Sequence, residues 1–231
     1  SEFAPPGVLT YSDEEVSAAV EEAHIRGMRV VTHSRSAAAV KQAVRHGVDV
    51  IGHANYLDDE AVDMLEAKRD QIFVCPAIAW EITLLDRGSE LGLPRDAMEQ
   101  RGYQKEVDET ISAVKRLRDS KVRVLVGGDY GLNITPHGTN SKDLEYFVDL
   151  FGMSTSEALL CATRDGGAAA DTSGMVGTLE EGKYADLVIV DGNPLEDIRI
   201  LQDHSRIVGV MKDGIMHCAL MQKNPYIAPD E

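Results

Sequence analysis

The sequence predicts an α/β fold with a parallel sheet, and its hydrophobic pattern supports this in two ways. Short apolar runs rich in β-branched residues alternate with longer segments of helical periodicity, as βα units require. The apolar runs are almost continuous, which is typical of strands that are covered on both faces. Four such units are half of a (β/α)8 TIM barrel, and short strands replace helices after Gly174.

The strands can be placed from the apolar runs and the residues that end them. One long stretch, Ala77 to Asp96, carries glycine, proline and mixed charge and is predicted as a functional loop. The four barrel strands are predicted at Arg29–Thr32, Asp49–Gly52, Ile72–Pro76 and Val122–Gly127, and three further strands at Ala185–Val190, Ile207–Lys212 and Ile215–Ala219.

The helices are placed by their start and stop signals. Capping boxes at Ser12–Glu15 and Ser154–Glu157 predict two helix starts, and Gly27 predicts the end of the first helix. Helices are expected at Asp13–Arg26, Ser36–Arg45, Asp59–Lys68, Asp96–Ser120, Asn140–Phe151 and Thr155–Thr163. We therefore assign residues 1–173 to the half-barrel and residues 174–231 to a separate β-structure with a tail.

Composition excludes several classes of partner. The 231 residues carry a formal net charge of −16, which argues against nucleic acid and against anionic membrane surfaces. No apolar run approaches the roughly 18 residues that span a bilayer. The three cysteines, Cys75, Cys161 and Cys218, show no CxxC spacing and indicate free thiols in a reducing compartment. We expect a cytoplasmic location.

Three metal-capable side chains follow the predicted strands. His33, His53 and Asp129 each come directly after an apolar run or shortly beyond it. A single histidine or aspartate in such a place more often has a structural role. Three in the same topological position, at the catalytic face of a barrel, favour a divalent metal site that activates water. Arg35, Tyr56 and His137 could reach the same face and bind a substrate carboxylate, although each alone is more typical of a solvated charge, a packed aromatic ring or a helix-capping loop residue.

The C-terminal motifs resemble a known family. The segment Gly177–Pro194, GTLEEGKYADLVIVDGNP, closely resembles the C-terminal signature of the metal-dependent amidohydrolase superfamily. The segments Ser156–Thr163 and Val210–Gly214 fit the same signature, and the similarity extends from Tyr11 to Ala219. The chain looks most like the imidazolonepropionase-like branch, which includes dipeptidase-like and carboxypeptidase-like members.

The resemblance implies specific roles for the predicted site residues. It makes His33 the ligand after barrel strand 5, His53 the ligand after strand 6, and Asp129 the strand-8 aspartate that binds metal and transfers a proton. Residues 174–231 would then form part of a small β-sandwich. The implied reaction is hydrolysis of peptide or N-acyl amino acid amide bonds by a metal-activated hydroxide. The implied cofactor is a divalent metal, two zinc ions in the complete protein.

The resemblance also has a clear gap. The family's His-x-His after strand 1 and its bridging lysine after strand 4 are absent from these residues. We expect the chain to be a fragment that needs an N-terminal half, and the exposed strand edges favour a homo-oligomer. Two alternatives stay open: a non-catalytic half-barrel that binds at most one metal, and a hydrolase of lactones or esters.

Overall fold

The computed structural model describes residues 8–219, with side chains described for residues 8–217. The chain divides into two compact units, Ser1–Met153 and Ser154–Glu231. Among residues 8–219, every helix is too short or too polar to cross a membrane. Cys75 and Cys161 carry free thiols. The side chain of Cys218, for which a free thiol is also predicted, lies outside the described residues.

The first unit is built on a parallel sheet, as the sequence predicts. Its four strands lie in chain order, and each pairs in parallel with the next. They are β1 (Val31–Ser36), β2 (Val50–Tyr56), β3 (Phe73–Cys75) and β4 (Arg123–Val124). This order and direction bring the carboxyl ends of neighbouring strands to one edge, which is where βα enzymes place their sites.

Two strand boundaries differ from the prediction in a way that matters for the site. The predicted strands end at Thr32 and Gly52, but β1 continues to Ser36 and β2 to Tyr56. His33 and His53 therefore lie inside strands rather than after them. The polar side chains concealed this extension, because an apolar run is a signal for a buried strand but not for its polar end.

Helices cover the sheet and complete the core of the first unit. Large side chains with almost no exposure fill this core, among them Phe73, Leu65, Leu117 and Phe147. The helices are α1 (Asp13–Ile25), α2 (Ala37–His46), α3 (Asp59–Ala67), α4 (Ile78–Arg87), α5 (Arg95–Gln100), α6 (Tyr103–Asp119) and α7 (Lys142–Asp149). The predicted capping box opens α1, with Ser12 and Glu15 bonded to each other's backbone N–H groups.

The predicted loop Ala77–Asp96 is wrong, because most of it is helical. Helix α4 is followed by a 3-10 turn at Gly88–Leu91, and α5 begins at Arg95. Ile78, Leu84 and Leu85 are all buried, which gives α4 an apolar face. The glycines and the proline that suggested a loop lie in the connection after this helix.

The predicted helix Asp96–Ser120 is two helices. Gly102 has a φ of 88°, a left-handed conformation that ends α5 and precedes α6. Glycine adopts this conformation without the steric cost that other residues meet. Helix α6 supplies two buried polar residues, Glu106 and Thr110.

The second unit contains a short helical region and an antiparallel sheet. A turn of π-helix at Cys161–Asp165 separates its two helices. The regular elements are α8 (Thr155–Leu160), α9 (Gly166–Ala170), β5 (Leu187–Val190), β6 (Ile207–Lys212) and β7 (Ile215–Ala219). The three strands pair in chain order and antiparallel. A domain boundary between residues 173 and 174, and a β-sandwich, stay predictions.

Candidate metal centre

The rings of His33 and His53 face each other across neighbouring strands. His33 Nδ1 lies 2.8 Å from His53 Nε2. The ring centroids are 5.0 Å apart, and the ring planes are tilted by 35°. The parallel register pairs His53 with Ser34, next to His33, so the sheet itself brings these residues together. Strand pairing thus brings together two imidazole rings from segments that are remote in sequence.

Asp129 joins the two histidines from the loop after β4. One potential ligand atom from each of the three side chains lies within 4.8 Å of the other two. The backbone carbonyl of Asp129 accepts a hydrogen bond of 2.8 Å from the Thr135 hydroxyl, which holds this loop. The predicted convergence of His33, His53 and Asp129 is therefore present in the geometry.

The two glycines before Asp129 allow the loop to pass close to its neighbours. A Cβ atom at Gly127 would lie 2.9 Å from Cys75 Sγ, and one at Gly128 would lie 2.9 Å from a ring carbon of Tyr130. Both distances are too short for an ordinary contact. The absence of side chains at Gly127 and Gly128 therefore permits the close packing of the loop that leads to Asp129.

The backbone of β2 is strained at His53. His53 and Ala54 have φ values of 73° and 53°. Left-handed conformations are uncommon for residues other than glycine and cost of order 1–3 kcal/mol each. Such strain persists only where surrounding contacts enforce it, and it concentrates at functional sites. The strain in β2 is an independent sign that the position of His53 matters.

The electrostatic environment keeps His53 neutral. Burial lowers the pKa of His53 to about 4, and the positive charge of Arg35 and the proximity of His33 act in the same direction. The Asp129 carboxylate opposes these effects without overcoming them. A neutral imidazole keeps a lone pair available, which is the form that binds a metal.

The donor set fits a divalent cation. His53 Nδ1 is buried and has no hydrogen-bond partner among the described residues. Two imidazoles and one carboxylate are ligands that zinc accepts, and three protein ligands leave a position open for water or substrate. The same donors suit manganese, cobalt or iron, so the residues do not select among these metals.

Arg35 lies close enough to His53 to lower its pKa, and Tyr56 follows His53 by three residues at the end of β2. Arg35 is part-buried and donates a hydrogen bond of 2.5 Å to Glu106 on α6. Burial raises the pKa of the Tyr56 hydroxyl, and the nearby carboxylates of Glu106 and Glu81 raise it further. Arg35 is thus held by an ion pair and the Tyr56 phenol is neutral near pH 7, and the substrate-binding roles predicted for both stay predictions.

His137 is placed differently. It is exposed, and its ring packs against Gly131 within the loop that follows Asp129. The described contacts of His137 stay inside this loop, whereas Arg35 is electrostatically coupled to His53. Its predicted role in substrate binding stays a prediction.

Sequence reasoning missed a buried polar network behind the histidines. Asn55, Glu81 and Thr110 are fully buried, and Glu106 is 5% exposed. Burial, together with the nearby Glu106 carboxylate, raises the pKa of Glu81 to about 8. A charged residue within the apolar stretch Ile78–Leu85 is the signal that could have identified it.

The sequence of residues 1–216 matches the sequence model of the amidohydrolase family. The chain belongs to the amidohydrolase family. This family is generally metal-dependent, and the described residues offer a possible metal-binding group in His33, His53 and Asp129. The resemblance seen in the C-terminal motifs is thereby confirmed.

Individual proteins are also similar to this chain over most of its length. Ochratoxinase from Aspergillus niger is 27% identical over 225 residues, covering 97% of this chain and 44% of ochratoxinase. A Xaa-Pro dipeptidase with bound methionine has a TM-score of 0.78 and 28% identity, covering 90% of this chain and 49% of that chain. A prolidase complexed with N-methylphosphonate-L-proline has a TM-score of 0.81 and 26% identity, covering 93% and 51%. The chain thus spans about half the length of these relatives.

Proposed function

We propose that this chain supplies three metal ligands and the proton-transferring group of a metal-dependent hydrolase of amide bonds. The observation that carries the proposal is the approach of His33, His53 and Asp129, whose ligand atoms lie within 4.8 Å of one another. Family membership supports hydrolysis. The burial of His53 and the strain in β2 support a functional role for this position.

Asp129 is the residue that we expect to move the proton. A divalent cation bound there would lower the pKa of water and polarise the scissile carbonyl. The Asp129 carboxylate accepts the proton of the attacking water as the new C–O bond forms. It then passes this proton to the nitrogen of the leaving amine as the C–N bond breaks. The products are a carboxylic acid, which keeps the second proton of the water until it ionises to solvent, and a neutral amine, and Asp129 returns to its ionised form.

Arg35, Tyr56 and His137 are the proposed substrate-binding residues. Glu106 fixes the Arg35 guanidinium on one side, and a guanidinium can bind a carboxylate with its remaining donors. A free carboxylate on the substrate favours dipeptides and N-acyl amino acids over lactones and simple esters. The prolidase and Xaa-Pro dipeptidase among the structural relatives support this choice.

We propose that an N-terminal half of the complete protein supplies the other ligands of the metal site. Val31 at the start of the edge strand β1 is 66% exposed, and a groove of about 480 Å³ beside this strand is lined by apolar residues such as Val8, Leu9 and Val16. An uncovered edge strand invites pairing with another strand. We propose that the chain is a fragment, and that the complete barrel holds two zinc ions, forms a homo-oligomer and works in the cytoplasm.

The direct test is hydrolysis by the full-length protein loaded with zinc. We expect release of amino acid from a Xaa-Pro dipeptide and from an N-acyl amino acid, and loss of this activity on chelation and in His53→Ala. Undiminished hydrolysis by His53→Ala would contradict the proposal. A well-folded oligomer without any hydrolysis would favour the non-catalytic half-barrel, and preferential cleavage of matched esters or lactones would favour the other alternative.

A further inference from the structure

The strained part of β2 is followed directly by a buried anchor. Asn55 comes next after the left-handed pair His53–Ala54, and it is fully buried. Its side-chain nitrogen donates a hydrogen bond of 2.7 Å to Glu81 Oε1 on α4 and one of 2.6 Å to Thr110 Oγ1 on α6. Both hydrogens of the amide group are used, so Asn55 is fixed to two helices.

Glu81 is central to this anchor. It is fully buried, and its second oxygen, Oε2, lies 3.1 Å from Thr110 Oγ1. Glu81, Asn55 and Thr110 thus form a closed triangle of hydrogen bonds in which each member contacts the other two. Of the three, Asn55 belongs to the strand that carries His53. The path of β2 at His53 is therefore tied to α4 and α6 through this triangle.

We propose that Glu81 is a positioning residue for the metal centre: it anchors Asn55 and so holds β2 in the left-handed path that directs His53 toward His33 and Asp129. The inference rests on the metal-binding role proposed above for these three residues. Glu81 itself contacts none of them in the described hydrogen bonds. It acts through the backbone of β2, by way of Asn55.

The hydrogen bonds around Thr110 indicate that Glu81 anchors Asn55 in its neutral, protonated form. The Thr110 hydroxyl has one proton, yet it lies 2.7 Å from the Glu106 carbonyl as well as 3.1 Å from Glu81 Oε2. If Thr110 donates to Glu106, a protonated Glu81 can donate to Thr110, and every contact is satisfied. The raised pKa of Glu81 agrees with this arrangement. Glutamine has the same shape and can make the same two contacts.

The test is zinc titration of the purified chain by calorimetry, together with the visible spectrum of Co²⁺ added in place of zinc. We expect Glu81→Gln to bind zinc as the unmutated chain does. We expect Glu81→Met to bind zinc about tenfold more weakly, the lower end of the effect of residues that orient metal ligands, and to shift the Co²⁺ spectrum. Equal zinc affinities for Glu81→Met and the unmutated chain would overturn the inference. Equal losses of zinc affinity in Glu81→Gln and Glu81→Met would also overturn it.

A matched control separates positioning from general destabilisation. Leu84 is fully buried on the same helix and lies outside the hydrogen-bonded triangle. Leu84→Ala should lower the melting temperature without weakening zinc binding, and an equal loss of affinity would overturn the inference. If Glu81→Met does not fold, Thr110→Val decides in its place, because it removes one corner of the triangle with little change in volume. It should weaken zinc binding, and unchanged binding would overturn the inference.

Relief of the backbone strain provides a second readout. Glycine adopts the φ of 53° found at Ala54 without steric cost. Ala54→Gly should therefore restore part of the zinc affinity in the Glu81→Met background and change it little in the unmutated chain. If Ala54→Gly changed the zinc affinity equally with and without Glu81→Met, Glu81 would not be holding the strained backbone of β2, and the inference would be overturned. If the unmutated chain bound no zinc, the proposed metal site would fail first, and this inference with it.

Discussion

His33 Nδ1 lies 2.8 Å from His53 Nε2, although the two residues belong to different strands. At this distance one ring donates a hydrogen bond to the other, so two nitrogen atoms share one proton. The pair is assembled by the parallel register of β1 and β2 and by the left-handed turn at His53. The geometry of this pair is the basis of the metal site that we propose.

Removal of one histidine of this pair should abolish tight zinc binding. We expect His53→Ala to weaken zinc affinity by more than about 100-fold, since loss of a ligand exceeds the loss caused by its supporting residues. Calorimetric titration measures the effect. His217→Ala, which removes an exposed histidine of the second unit, is the control and should bind zinc normally. Comparable losses in the two variants would argue for non-specific binding.

A methyl group at Gly127 should disturb the loop that carries Asp129. Its Cβ would lie 2.9 Å from Cys75 Sγ, so we expect Gly127→Ala to lower the free energy of unfolding by about 1–3 kcal/mol and to weaken zinc binding. Urea unfolding and zinc titration measure the two effects. Adding Cys75→Ala removes the sulfur atom that the new methyl group would contact, so it should restore much of the stability and of the zinc affinity. Gly166→Ala, where the nearest atom lies at 3.5 Å, should be nearly neutral.

The metal-free chain should lose stability as the pH rises through neutrality. The pKa of Glu81 is raised from 4.5 to about 8 in the folded state. The folded protein therefore holds a proton that the unfolded chain has released, and the stabilisation is complete below about pH 4.5 and lost as the pH passes 8. Between pH 6.5 and 8.5 we expect a loss of about 2 kcal/mol from Glu81, measured by urea unfolding with a chelator present.

Glu81→Gln is the control for this pH dependence, because glutamine does not titrate. A smaller slope of the same sign should remain in Glu81→Gln, since burial raises the pKa of Asp143 to about 7. Identical slopes in Glu81→Gln and the unmutated chain would show that Glu81 does not titrate in this range.

The ion pair between Arg35 and Glu106 should govern selectivity for substrates with a free carboxylate. In the full-length enzyme we expect Arg35→Met to raise KM for a dipeptide by about 10–100-fold, the effect of losing a charged hydrogen bond. The KM for the corresponding neutral amide should change little. Glu106→Gln should give a smaller shift in the same direction, because Arg35 loses its fixed orientation. Equal changes for both substrates would contradict the proposed role of Arg35.

Much of the architecture could be predicted from local sequence. The capping box at Ser12–Glu15, the β-branched runs and their alternation with helices all depend on residues near one another in the chain. The convergence of His33, His53 and Asp129 followed from one topological rule, that the carboxyl ends of parallel strands meet. These predictions succeeded because each used either a short-range signal or the topology itself.

The remainder depends on contacts between distant residues. Helix α4 was hidden because its apolar face contains Glu81, whose burial makes sense only once Asn55 and Thr110 are beside it. The extension of β1 and β2 past their apolar runs depends on pairing with each other. Neither residue of the left-handed pair His53–Ala54 is a glycine, so the sequence gives no signal for this backbone conformation. Tertiary context decided each of these features.

The most direct test of the account is the zinc content of the purified chain, measured by elemental analysis after saturation with zinc and removal of the excess. We expect at least one bound zinc ion per chain, and none in a variant that lacks both His33 and His53. A content near two would indicate that further ligands are present and that hydrolysis should be assayed at once. No bound zinc, or the same content in the double variant, would contradict the proposed metal centre.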